Sequence, residues 1–349
     1  MLDVKLRAVT TDFLFAWHPL TPRVWLVGGN GANSVVITDG RDVLLIDTKE
    51  TGFGGALRGE VERVVGRPVT CVVSTHHHTD HVMGNPAFTR DVPVIAQRRA
   101  RARTIARASR ALVEMAAAAE DGGDPYAAHV ADLRDWAKYY DGHVRLDDGV
   151  QSEVASLVEQ AADAVHGIAR DEQMKAVAPM AERFAPTETF ESERTLRVGD
   201  VEVELHHWGP GHTDGDVVAV VPSEGIVIAS DLAYAGLHPF IDAGAGGRTD
   251  EWMRRTDELL DRCGRLEREG RQAVVAPGHG GVGGVEVVSA QRAYFERLYE
   301  AVGEARRTGR SRAETEQLVP PGLPAERAAL LGVNLGLVYD ELEQKLLGA

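Results

Sequence analysis

Residues 74–85 read STHHHTDHVMGN, and four of the chain's 13 histidines stand with an aspartate between positions 76 and 81. Imidazole and carboxylate are borderline ligands suited to zinc, iron or manganese. In extended backbone successive side chains point to opposite sides, so His76 and His78 share one face and His77 the other. A turn at Thr79 brings Asp80 and His81 round beside them. His76 with His78 then serves one metal and Asp80 with His81 another, while His77 packs or hydrogen-bonds behind. Three later segments offer partners: His212 in WGPGHTDGD, Asp231 in IVIASDLAY and His279 in VVAPGHGG. Each follows an apolar strand, the place where α/β folds assemble sites.

The chemistry such a centre offers is nucleophile generation. A bound metal takes the pKa of water from about 15.7 to about 7. A metal-bound hydroxide would attack a carbonyl or a phosphorus, and a metal would hold the developing oxyanion. Asp80 is both a ligand and a candidate proton shuttle. Asp214 and Asp216 flank His212, and one of them orients it by hydrogen bond, Asp216 being the candidate retained.

The elements that position these groups alternate strand and helix. RVWLVGG, NSVVITDG and DVLLIDT are short apolar or alternating runs set apart by Gly, Asn and Asp, the pattern of strands and turns. GGNGAN, residues 28–33, lacks a full phosphate-loop pattern and leads into a strand, so it is not one. GALRGEVERVVGR carries Leu57, Val61, Val64 and Val65 at helical spacing, and VTCVVS is a buried strand that runs into the histidines. After the insertion, TLRVGDVEVELHHWG predicts a hairpin turning at VGD. DVVAVVP, GIVIASD and QAVVAPGHG are further strands. A helix from about 249 to 263 buries Trp252, Leu259, Leu260 and Cys263. The C-terminal helix carries Leu331, Leu335, Val338, Leu342 and Leu346.

Residues 97–185 differ in character, being dominated by Ala, Arg and Glu. Ile105, Ala108, Leu112 and Met115 mark one amphipathic helix. Val130, Leu133, Ala137 and Tyr140 mark a second, and Val154, Val158, Ala161, Val165 and Ile168 a third. This is a helical insertion whose ends lie near the metal cleft, as a lid or a dimer contact. Its segment 97–110 holds six arginines, read as a solvated helix face, with a docking patch for an anionic arm as the alternative.

With 349 residues, 44% of them hydrophobic, the chain has length enough for a large core. A net charge of −15 argues against nucleic acid as a general partner. No apolar run approaches the roughly 20 residues that cross a bilayer, so no membrane partner is expected. MLDVKLRAVTTDF lacks the apolar core of a secretory signal. Cys71 and Cys263 make no disulfide framework, and a cytoplasmic location is expected.

HHHTDH with Thr75 and Gly84-Asn85, GPGHTDGD, SDLAY and PGHGG resemble the ordered motifs of the metallo-β-lactamase superfamily. The opening GGNGANSVVITDGRDVLLIDT is similar to that family's first strands, with Asp47 at a supporting acid. The likeness covers residues 22–96 and 187 to about 283, and leaves the insertion unexplained. It implies an α/β fold, a four-layer αβ/βα sandwich of two mixed sheets with helices outside. It implies a dinuclear centre with His76, His78 and His212 at one metal, Asp80, His81 and His279 at the other, and Asp231 bridging. A bridging Asp231 is similar to the arrangement in glyoxalase II-like thioesterases, lactonases and phosphodiesterases, whereas many β-lactamases have a cysteine there or no bridge. Lactonases of the family carry a tyrosine at the offset of Tyr234, placed to bond a substrate oxygen, with aromatic packing as the alternative reading.

His238 in GLHPF is a candidate substrate contact or a turn histidine. His206 and His207 read as structural, and His129, His143 and His166 as solvated. Gly-rich 242–250 is a candidate mobile loop.

One metallo-β-lactamase-fold domain is expected over 1–349, with the insertion at 97–185 and a C-terminal helical segment at 286–349. The expected activity is a two-zinc hydrolase, with iron or manganese as alternatives. It acts through a bridging hydroxide on an ester, thioester, lactone or related small acyl substrate, with a homodimer left open. The alternatives are a cyclase or lyase of the same fold, an iron-dependent persulfide-type dioxygenase, and a β-lactamase.

Overall fold

A computed structural model describes residues 14–120, 131, 148–324 and 328–347. The helix marked by Val130, Leu133, Ala137 and Tyr140, and with it His129 and His143, lies outside the described residues apart from Ala131. The strands make two mixed sheets. The chain divides into two units, one of residues 1–207 and 217–224, the other of 208–216 and 225–349.

In the first unit the apolar runs at the start of the chain become a meander. Strands β1 (Ala16–Thr21), β2 (Val24–Gly28), β3 (Ser34–Thr38) and β4 (Val43–Ile46) pair antiparallel in order. Helix α1 (Gly54–Val65) crosses to β5 (Cys71–Val73), which lies parallel to β4. The expected spacing holds, because Leu57 and Val61 are fully buried in one core with Val36, Leu45, Phe53, Val72 and Phe88. Gly66 ends the helix at φ 74°, its N–H on the Glu62 carbonyl, a left-handed cap that costs glycine little. A short helix α2 (Thr79–Val82) follows β5, and β6 (Val94–Gln97) pairs parallel to β5.

The insertion begins as helix α3 (Arg98–Glu120) directly at the end of β6 and returns through α4 (Asp148–Val165). Ala108, Leu112 and Ala116 of α3 meet Ala161 and Val165 of α4, together with Val177, Ala181, Phe184 and Met83. The third amphipathic stripe is as expected up to Val165. Ile168 lies beyond the helix end and is exposed. His166 is exposed, and Arg98 and Arg101 form surface ion pairs with Glu191 and Glu182. Strand β7 (Glu188–Phe190) then joins β6 in parallel, completing a seven-stranded sheet. Strands β8 (Glu193–Val198), β9 (Val201–His206) and β10 (Val218–Val221) pair antiparallel. The turn between β8 and β9 has Gly199 at φ 57°.

The second unit is a β-α-β crossover with helices added. Strand β11 (Ile226–Tyr234), helix α5 (Thr249–Arg268) and strand β12 (Val274–His279) set the two strands parallel. Trp252, Leu259 and Cys263 of α5 are fully buried, while Leu260 is only half-buried. Helix α6 (Val285–Arg307) packs Phe295 on Trp252, with ring centroids 5.0 Å apart. Helix α7 (Ala328–Leu347) buries Leu331, Leu335 and Val338 as its spacing predicts.

Candidate metal centre

Strand β5 delivers the histidine cluster. The backbone leaves the sheet at Ser74 and starts α2 at Thr79, with His78 as the extended cap residue, φ −68° and ψ 149°. The turn at Thr79 is therefore a helix start, and it carries Asp80 and His81 back beside the loop. The ring centroids of His76 and His78 are 4.7 Å apart, and those of His76 and His81 4.1 Å. His77 lies 4.7 Å from His78 and 6.4 Å from His76. The four histidines and Asp80 are all buried. His81 Nε2 is 3.8 Å from Asp80 Oδ2.

Asp47 organises this half. It follows β4 at φ 61°, a conformation that side chains rarely adopt without a constraint. Its Oδ1 accepts from the Thr75 N–H at 2.8 Å, and its Oδ2 accepts from the Thr75 hydroxyl at 2.7 Å. His81 Nδ1 is 2.7 Å from the same Oδ2. A buried carboxylate accepts, so Nδ1 carries the proton and Nε2 keeps its lone pair for a metal. The GGNGAN loop takes up the other side: a Cβ on Gly31 (φ 113°) would stand 3.1 Å from the Asp80 carbonyl oxygen. That loop is anchored by Lys49, fully buried, whose ammonium donates to the carbonyls of Val27 and Ala32. Sequence reasoning missed Lys49, since one lysine in DTKETG looks like a loop charge.

The second unit carries the later donors. Strand β11 does not end at Asp231 but runs on to Tyr234. Ser230, at φ 48°, and a shift in the register with β12 form an irregularity just before Asp231. Such irregularities in a ladder re-aim a side chain. Asp231 Oδ2 lies 3.4 Å from His212 Nε2 and 3.4 Å from His279 Nε2. The carboxylate rests on bare backbone: a Cβ on Gly278 would fall 1.8 Å from Asp231 Oδ1. The Tyr234 hydroxyl donates to Asp231 Oδ2, and its ring stacks on His279 at 5.1 Å between centroids.

His212 Nδ1 lies 2.8 Å from the Phe240 carbonyl oxygen. A carbonyl only accepts, so His212, like His81, turns an unprotonated Nε2 outward. Asp216 serves the same loop through its backbone, accepting from the Thr213 N–H at 3.0 Å and from its hydroxyl. Burial pushes the Asp216 carboxyl up to about 7, against the lowering effect of those bonds. His238 is fully buried with both ring nitrogens engaged, Nδ1 2.9 Å from Tyr294 Oη and Nε2 2.8 Å from the Pro324 carbonyl. Of its two readings, the structure supports the structural one. His206 pairs with Glu204 at 3.1 Å, and the His207 N–H donates to the Ser192 carbonyl at 2.7 Å, both structural roles.

The buried groups His76, His78, His212 and Asp231, and Asp80, His81 and His279, are of the kinds that hold a metal ion. Among the described residues no helix is long and apolar enough to cross a membrane.

Comparison with known proteins gives a consistent result. Residues 27–279 match the metallo-β-lactamase superfamily. A stretch of 98 residues is 28% identical to the metallo-β-lactamase type 2 of Bacillus cereus, covering 28% of this chain and 36% of that protein. The match thus spans about a third of that curated relative. A metallo-β-lactamase from Pontibacter korlensis superposes with a TM-score of 0.52 at 17% identity, over 81% of this chain and 99% of that one. FIM-1 from Pseudomonas aeruginosa, in its mono-zinc form, gives 0.50 at 16% identity, over 82% and 97%. At such identities the likeness is one of fold, and it agrees with the α/β architecture expected from the sequence.

Proposed function

Because the chain belongs to the metallo-β-lactamase superfamily, we propose that it is a two-zinc hydrolase of an ester, thioester, lactone or related small acyl substrate. The observation that carries this reading is Asp231, with one carboxylate oxygen 3.4 Å from the Nε2 of both His212 and His279. A carboxylate so placed is suited to bridging two cations. The donor set fits zinc, being imidazole Nε2 atoms and carboxylates with the Nδ1 atoms of His81 and His212 bonded away from the metal. In this reading His76, His78 and His212 hold one ion, Asp80, His81 and His279 the other, and Asp231 both.

When bound, the metal pair supplies a water of lowered pKa and polarises the substrate oxygen. The chain's own groups do the rest. Asp47 holds His81 in the ligating tautomer, and the Phe240 carbonyl does so for His212. Tyr234 holds the Asp231 carboxylate through its one hydroxyl proton, and to donate to a substrate oxygen that O–H would have to turn away from Asp231. The Asp80 carboxylate carries a proton to the leaving group. Gly31, having no Cβ, lets the GGNGAN loop pass close to Asp80, where a Cβ would stand 3.1 Å from the Asp80 carbonyl oxygen.

Metal content near two equivalents of zinc and loss of turnover on chelation are expected. The purified protein is to be screened against lactones, thioesters, phosphodiesters and a chromogenic β-lactam, the last testing the β-lactamase alternative. Iron in place of zinc would favour the dioxygenase alternative. Unchanged turnover in His76→Ala would overturn the reading.

A further inference from the structure

We propose that the C-terminal helix α7 positions the candidate ligand His212, by fixing both ends of the segment 238–249 on which the His212 loop is built. The proposal rests on the reading that His212 binds metal. The loop touches that segment repeatedly. His212 Nδ1 donates to the Phe240 carbonyl at 2.8 Å. The Arg248 N–H donates to the Gly211 carbonyl at 3.0 Å, and the Asp214 N–H to the Ala245 carbonyl at 2.9 Å. A Cβ on Gly247 would fall 2.2 Å from the His212 carbonyl oxygen. Where 240–248 goes, the imidazole follows.

Apart from one turn at Ala243–Ala245, residues 238–248 are irregular, so no sheet ladder holds them. Two side chains of α7 do. Asn334, 1% exposed, donates its amide hydrogens to the Pro239 carbonyl and to Tyr294 Oη, both at 2.9 Å. His238 Nε2 faces the Pro324 carbonyl, which only accepts, so Nε2 carries the proton. His238 Nδ1 is then the acceptor for the Tyr294 hydroxyl at 2.9 Å. Asn334, Tyr294, His238 and Pro324 form a chain in which each donor has one direction.

At the other end Glu341 lies seven residues on, two turns along the same helix face. It accepts from the Thr249 N–H at 2.9 Å, from the Thr249 hydroxyl and from Tyr299 Oη at 2.9 Å. Thr249 follows Arg248, whose N–H holds Gly211. Tyr294, Tyr299, Asn334 and Glu341 all lie beyond the residues that match the family, 27–279. The support thus comes from outside the residues that match the family.

The experiment uses the full chain with Asn334→Leu, Glu341→Leu and Tyr294→Phe. Zinc affinity is read by competition with a chromogenic chelator, and the ligand field from the visible spectrum of the cobalt(II) form. Both are read at a temperature well below the Tm of every variant. Expected are a loss of about tenfold in affinity at one of two sites, an altered cobalt spectrum, and a smaller change in Tyr294→Phe. If Asn334→Leu does not fold, Tyr294→Phe alone decides, because it removes one hydroxyl and no packing. Folded variants with lowered Tm but wild-type zinc affinity and cobalt spectrum overturn the proposal, leaving α7 a merely stabilising helix. Wild-type protein that binds no metal overturns the underlying reading, and the inference with it.

Discussion

Replacing Asp47 by asparagine exchanges one oxygen for an NH2 in a site where every neighbour is a donor. Oδ1 receives the Thr75 N–H, while Oδ2 receives the Thr75 hydroxyl and His81 Nδ1. If the amide nitrogen takes the Oδ1 place, a buried backbone N–H loses its acceptor, at a cost of about 1–3 kcal/mol. If it takes the Oδ2 place, His81 escapes the donor–donor clash by moving its proton to Nε2. A protonated Nε2 cannot ligate a metal. The second outcome removes His81 as a ligand and the first leaves its Nδ1–H a weaker, uncharged acceptor, so zinc binding through His81 should fall by about 10–100-fold, or about 1.4–2.8 kcal/mol. Chelator competition at fixed pH, with elemental analysis of the dialysed protein, measures this directly. Thermal unfolding of the metal-free protein separates the stability cost from the ligand effect. Asp47→Asn that holds two zinc ions at wild-type affinity would refute the orientation argument, as would zinc loss that merely tracks unfolding.

Gly278→Ala should displace Asp231, because the new Cβ would stand 1.8 Å from Oδ1 and 2.9 Å from the Asp231 nitrogen. Metal content should fall and stability drop by about 1–3 kcal/mol from overpacking, and full zinc content in the folded variant would speak against a bridging role for Asp231. Tyr234→Phe removes the hydroxyl that donates to Asp231. It should lower kcat while leaving zinc content near wild type, and unchanged kcat on the best substrate would deny Tyr234 any part. Burial opposes ionisation of Asp250, yet Arg248 and Lys345 outweigh it and hold the carboxyl well below the carboxylate range. A depressed folded pKa contributes stability above the unfolded value of about 4, and that contribution is lost as pH falls through and below it. The Tm gap between wild type and Asp250→Asn should therefore close on acidification below about pH 4, and a gap that stays constant to pH 3 would contradict the pairing.

The early cluster of candidate ligands was legible because its constraint is local. His76, His78, Asp80 and His81 share one loop and one helix start, and a period-two backbone followed by a turn suffices to group them. The strands were legible for a similar reason: VTCVVS and VLLI are continuous apolar runs, and both became fully or nearly fully buried strands. The path of β11 was less so. The reading stopped the strand at Asp231, whereas an irregularity at Ser230 lets it continue while turning the carboxylate towards His212 and His279. Nothing in IVIASDLAY marks the positive φ of Ser230, which only the register with β12 reveals.

The groups that hold the candidate ligands were harder to see, and for a physical reason. A supporting group needs only one atom of the right polarity, and a backbone carbonyl serves as well as a side chain. Asp214 or Asp216 was expected to orient the His212 imidazole, as the nearest carboxylates in sequence. The Phe240 carbonyl, 28 residues away, holds Nδ1 instead, while Asp216 secures the backbone beside it. His238 shows the same limit from the other side. Read alone, GLHPF is a polar turn near a cleft. Its partners Tyr294 and Pro324 lie 56 and 86 residues further on, and they make the histidine a buried strut. A buried polar side chain must find partners wherever the fold brings them. Its role is therefore set by the longest-range part of the structure, the part that a local reading of residue types reaches last.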